Sequence, residues 1–166
     1  MSNNDHHADL LTLIAHVRKH ARLLDDAMGE IRDARESDIP KLGKTSRAGV
    51  LVAGLLENYY TCAETLFVRV SQFFENSLSP ERWHKDLLEK MTLEIDSVRP
   101  ALVSTDIYND LVELMRFRHF KRSYFAASYD WIRLEELLKR LQRMHPILIA
   151  DIRSFLAFLE SLESRG

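Results

Sequence analysis

From Ala8 to about Arg35 the apolar residues Leu10, Leu13, Ile14, Val17, Ala21, Leu24, Ala27, Met28 and Ile31 recur in steps of three and four. That spacing lines one side of an α-helix and predicts an amphipathic helix of several turns. The stretch Glu36 to Lys44 mixes charges with Pro40 and Gly43 and reads as a loop. A second long helix is predicted from about Ser46 to Asn76; it carries Leu55, Leu56, Tyr59, Cys62, Ala63, Leu66 and Val70, and its apolar content makes it the central, most buried one. Ser79-Pro80 has the chemistry of a helix start, since Ser can cap and Pro tolerates the first helical position. A short helix should follow from Glu81 to about Leu93, and Arg99-Pro100 breaks the chain again. Another helix opens at Thr105-Asp106 and runs towards Tyr124, with an end and restart over 126–130. The last covers about Trp131 to Ser161, interrupted or bent at Pro146. The sum is an all-α, up-and-down bundle of four to five helices in one domain over 1–166, with residues 1–7 as a disordered tail.

Composition narrows this reading. Among 166 residues there are only 5 Gly and 4 Pro, less than half the usual roughly 12%, which argues against turn-rich all-β folds and Pro/Gly-rich disorder. The one cysteine, Cys62, cannot form an internal disulfide and falls at a helical core spacing, so nothing points to an oxidising compartment. The N-terminus lacks a basic segment followed by an apolar one, and no apolar run approaches the roughly 18 residues of a membrane span, so a cytoplasmic protein is expected. The formal net charge of −2 hides an asymmetry: between Met115 and Met144 eight cations face three carboxylates, a local +5. A basic face on a near-neutral protein is a candidate anion-binding surface; for 139–143 a solvated helix face is the simpler reading.

Candidate chemistry is sparse. His16 and His20 are one turn apart, but two imidazoles without further ligands do not make a metal site. Glu57 and Glu64 share a helix face without the Glu-x-x-His repeats of a di-iron bundle. No metal or cofactor is expected. The dense segment is Met115 to Tyr129, where Arg116, Arg118, Lys121 and Arg122 interleave with Phe117, Phe120, Tyr124 and Phe125. Arg118 and Arg122 lie one turn apart and can clamp a phosphate together, and the rings offer stacking surfaces for unpaired bases. The competing reading is that the phenylalanines are core and the arginines ordinary surface.

Three elements, Arg82-Trp83-His84-Lys85-Asp86-Leu87-Leu88, Val98-Arg99-Pro100 and Arg116-Phe117-Arg118-His119-Phe120-Lys121-Arg122, resemble HepT-like proteins of the HEPN superfamily. The similarity extends over most of the chain after about residue 46. It implies a helical bundle that dimerises around a composite cleft, a small MNT-type nucleotidyltransferase as partner in a prokaryotic toxin–antitoxin module, and metal-independent RNA cleavage by an Arg-x4-His-x-Tyr motif.

On this chain the motif's Arg falls on Arg118, followed by His119, but its His falls on Ser123 and its Tyr on Phe125. Arg118, His119 and Ser123 are the catalytic candidates by that resemblance, with Arg116, Lys121, Arg122, Tyr124 and Phe125 as RNA- or phosphate-binding candidates. Glu64 lies where family members often carry an acidic residue and can pair with Arg118. Ser123 cannot act as a base near neutrality, and Phe125 lacks the hydroxyl that the partner modifies with AMP in some members. The resemblance therefore implies an endoribonuclease with weakened or lost activity, or alternatively a non-catalytic substrate-binding or regulatory subunit of the nucleotidyltransferase. His84 is read as a capping or packing residue near the Ser79-Pro80 turn.

Overall fold

A computed structural model describes residues 3–75, 83–123 and 128–164. Helix α1 spans Asn3–Asp33, and residues 3–7, read from sequence as a disordered tail, form its first turns, with the His6 ring stacked on Phe73 at 5.4 Å. The chain then continues as a π-helical turn, Ala34–Asp38, and a one-turn helix α2, Ile39–Leu42. The loop expected over 36–44 is thus mostly helical. Pro40 falls where the π-helical turn passes into α2 without ending the helical run, and the break comes only at Gly43, whose φ of 68° suits a residue without a side chain.

Helix α3, Ser46–Phe74, begins where Thr45 accepts a hydrogen bond from the Ala48 N–H, 3.2 Å. It buries Val52, Leu56, Tyr59, Tyr60, Ala63, Leu66, Phe67 and Val70 and packs on α1, α5 and α6, the central position expected from its apolar content. The expected start of the next helix at Ser79-Pro80 lies outside the described residues; α4 itself covers Trp83–Met91. A 3₁₀ turn, Thr105–Ile107, leads into α5, Tyr108–Ser123. Helix α6, Trp131–Glu163, starts at Asp130, whose side chain accepts from the Ile132 N–H at 2.9 Å. Pro146 does not interrupt α6, because Leu134, Leu137, Leu141, Met144, Leu148, Ile152, Phe155 and Leu159 keep one continuous buried stripe across it.

The second signature, Val98-Arg99-Pro100, works structurally. Arg99 is buried and donates five hydrogen bonds: two to the Glu75 carboxylate at the end of α3, and one each to the carbonyls of Lys90, Leu93 and Pro100. A guanidinium is suited to this, since its planar fork reaches several acceptors at once. It ties α3, α4 and the following loop together, and so places α4 beside α5.

Candidate functional site

Helix α5 enters the bundle with alternate fates for its cations. Leu111, Leu114, Met115 and Phe117 bury its inner face, and Arg118 is carried inward with them to 5% exposure. A buried guanidinium needs a counter-charge. Glu64 on α3, itself 4% exposed, supplies it through Oε2, 2.7 Å from Arg118 Nη1. Below the guanidinium lies the Tyr60 ring, 5.9 Å from its carbon to the ring centroid, an additional cation–π contact. Arg118 Nε and Tyr60 Oη have no hydrogen-bond partner among the described residues.

The other carboxylate oxygen of Glu64 accepts from His84 Nδ1 on α4 at 2.5 Å. His84 in turn meets His119 edge-on, with ring centroids 4.5 Å apart. Glu64, His84, Arg118 and His119 therefore form one polar cluster where α3, α4 and α5 meet. His119 faces solvent on its outer side. Partial burial against α4, then the neighbouring His84 and Arg118, push its imidazole below the ordinary histidine value, with Glu64 opposing. Its neutral form, with a nitrogen able to accept a proton, is thereby favoured.

His84 is the residue whose partners sequence reasoning missed. It joins Glu64 to His119, contacts the sequence reading did not foresee; the Ser79-Pro80 turn, beside which a capping or packing role was expected, lies outside the described residues. The only signal was its place in the Trp-His element; its partners lie 20 and 35 residues away along the chain. The pairing of Glu64 with Arg118 was legible in advance.

The remaining candidates are distributed differently. Arg122, expected to share a phosphate with Arg118, is exposed and drawn with Lys121 to Glu57 on α3. Arg116 lies on another side of α5, where it shares Glu113 with Arg133. Those two arginines border a cleft of about 500 Å³ lined also by Phe117, Phe120 and Tyr129, with the Phe117 and Tyr129 centroids 6.0 Å apart. Ser123 ends α5, exposed and one turn beyond His119. Tyr124 and Phe125 lie outside the described residues.

The +5 stretch is not a bare basic surface. Seven of its eight cations meet carboxylates, mostly from outside the stretch: Glu57, Glu64, Asp110 and Glu113, with Glu136 from within. Arg140 and Arg143, read as a solvated face, clamp the buried Asp110 at 2.9 and 2.7 Å. The His16–His20 pair also departs from a solvated face: His20 is buried, its Nδ1 2.8 Å from the His16 carbonyl.

Against known proteins, the profile of one family, described as HepT-like protein, matches residues 51–159, from within α3 to the last turns of α6. Searches of curated proteins and of solved structures returned no match.

Proposed function

The chain belongs to the HepT-like family of HEPN-type proteins, and from that premise we propose that it is the HEPN component of a prokaryotic toxin–antitoxin pair, acting on RNA at a dimer cleft beside a nucleotidyltransferase partner. The observation that carries this reading is the convergence of Glu64, His84, Arg118 and His119 where α3, α4 and α5 meet, with His119 exposed and Glu64 and Arg118 buried behind it. Cleavage of RNA needs a base for the 2′-hydroxyl proton, an acid for the leaving 5′ oxygen and a cation for charge on the phosphate. His119, whose neutral form is favoured, takes the 2′-hydroxyl proton as that oxygen attacks phosphorus; the P–O5′ bond breaks and a proton passes from His84 to the 5′ oxygen. The products are a 2′,3′-cyclic phosphate and a 5′-hydroxyl. Glu64 orients His84 through Nδ1, and Arg118 holds a positive field beside the pair. The two-histidine arrangement supports chemistry that Ser123, at the motif's histidine position, does not provide. The cleft flanked by Arg116, Phe117 and Tyr129 supplies a stacking surface for unpaired bases.

One feature favours a second reading. Arg118 is closed on Glu64 and buried, so a phosphate reaches it only by displacing a carboxylate. A protein that binds RNA or its partner without cleaving would show that closure, and would be the regulatory subunit of the nucleotidyltransferase. The purified protein incubated with labelled single-stranded RNA separates the two. Cleavage reduced roughly 10²–10⁴-fold by His119→Ala and strongly by His84→Ala supports the ribonuclease. Intact RNA with the wild-type protein, alongside co-purification with a co-expressed nucleotidyltransferase, supports the regulatory subunit instead.

A further inference from the structure

On the side of the bundle away from the Glu64 cluster, α1, the π-helical turn and α6 enclose a cleft of about 490 Å³. That is the size of a small-molecule site, which is characteristically apolar with a few fixed polar groups. Its floor is apolar: Met28, Ile31 and Leu138, all buried, with Pro146 beside them. Its rim carries Arg32 and Arg35, one turn apart at the end of α1.

Three observations set these two arginines apart from the others. First, neither forms an ion pair with a carboxylate among the described residues. The arginines of α5 and their neighbours on α6 are paired with carboxylates, whereas Arg35 donates to the neutral amide oxygen of Gln142 and Arg32 has no carboxylate partner among the described residues. The rim carboxylate, Glu36, forms no ion pair with either. Second, Arg35 and Glu36 belong to the π-helical turn, a distortion that costs hydrogen-bond geometry and recurs at functional sites. Third, the wall is rigid. His145 is held at both ring nitrogens, by the Tyr59 hydroxyl at 2.8 Å from Nδ1 and by Asp25 at 3.1 Å from Nε2. Next to it Pro146 has no N–H, so the Gln142 carbonyl cannot receive the usual helical bond from four residues on. A second, smaller cleft of about 280 Å³ continues past Arg35 and Leu138 to Ile39 and Trp131, with Glu135 and Lys139 of opposite charge on its rim.

From this geometry we infer that the α1–α6 cleft is a binding site for a small amphiphilic organic anion: an apolar body on the Met28–Ile31–Leu138 floor and an acidic head held between Arg32 and Arg35. A nucleoside monophosphate and a medium-chain carboxylate both have that chemistry. The site is independent of the proposed ribonuclease cluster, which lies across α3 from it.

The test is a ¹⁵N-NMR titration of the full chain with four probes: AMP, adenosine, octanoate and inorganic phosphate. The expected result is saturable shifts at Arg35, Gln142 and His145 with AMP or octanoate, whichever saturates identifying the source, and none with adenosine. Affinity should fall about tenfold or more in Arg32→Ala and Arg35→Ala, since each removes a charge-assisted hydrogen bond. Gln142→Glu, which gives Arg35 a carboxylate of its own, should weaken binding as well. All three positions are exposed, so the variants keep the fold. Absence of shifts at millimolar probe, shifts indifferent to the three substitutions, or inorganic phosphate binding as tightly as AMP would each overturn the inference. Shifts confined to His84 and His119 would overturn it too while leaving the ribonuclease reading standing; loss of RNA cleavage in His119→Ala has no bearing on this cleft.

Discussion

Glu64→Ala isolates the energetics of the buried cluster. The substitution removes a carboxylate whose side chain is 5% exposed from a guanidinium that is 6% exposed. What remains is a buried Arg118 with Nε already lacking a partner and only the Tyr60 face to stabilise its charge, and a His84 whose Nδ1 bond is gone. Breaking one side of a buried ion pair costs about 3–5 kcal/mol, and the lost His84 bond adds about 1 kcal/mol. Against a total stability of about 5–15 kcal/mol for a domain, the variant should be folded but marginal. Its Tm should drop by roughly 8–24 °C, taking about 2–4 °C per kcal/mol for a chain of this length. Urea unfolding followed by far-UV circular dichroism measures the loss. A double-mutant cycle with Arg118→Met gives the coupling: the double variant, which removes both charges, should regain a large part of what Glu64→Ala loses. A cost below about 1 kcal/mol for Glu64→Ala, or a double variant as unstable as the two single losses combined, would refute the claim that Arg118 depends on Glu64.

Arg99→Ala should cost roughly 3–5 kcal/mol, because it leaves the Glu75 carboxylate with only Lys90, at 3.4 Å, among the described residues and strips the Leu93 and Pro100 carbonyls of their guanidinium bonds; hydrogen exchange should show α4 losing protection before α3 and α6. Arg99→Lys should recover less than half of that loss in the same urea assay, since a single ammonium cannot span five acceptor contacts. Burial holds the His145 imidazole below its ordinary value, with Asp25 pulling the other way. The unfolded chain therefore takes up that proton first. The corresponding stability is full above the unfolded pKa of about 6.5 and is lost as pH falls through the folded value. His145→Gln should flatten that part of the urea-stability profile between pH 7.5 and 5, and an unchanged slope would remove His145 from the account. Tyr59→Phe leaves His145 Nδ1 unpartnered and should cost about 1–2 kcal/mol at pH 7, read from the same unfolding curves.

The helices were legible because they rest on local signals: three- and four-residue apolar steps, Thr45 and Asp130 as caps, and few glycines to interrupt. Neither the loop expected around Pro40 nor the interruption that was one alternative at Pro146 is formed. Pro40 and Pro146 look like stops in isolation, but Pro40 falls where the π-helical turn passes into α2, and at Pro146 the buried stripe from Leu134 to Leu159 outweighs one missing hydrogen bond. At the candidate site, Arg118, His119 and Glu64 were legible from the family motif. His84 was not, because contacts across 20 and 35 residues leave no periodic trace. Counting charge along the chain likewise could not see that Glu57 and Glu64, about a third of the sequence away from the cations they meet, would answer them.

The adjacent tyrosines of α3 carry a consequence for how the bundle is keyed together. Tyr59 offers its hydroxyl to His145 on α6, while Tyr60 slides its ring under Arg118 on α5. Neighbouring residues on a helix point about 100° apart, so the dipeptide specifies the azimuth of α3 from two directions. A slip of one residue would break both contacts in the same movement. Neither flank of the molecule can drift in sequence without the other feeling it, which makes Tyr59-Tyr60 the axle on which the two clusters are mounted.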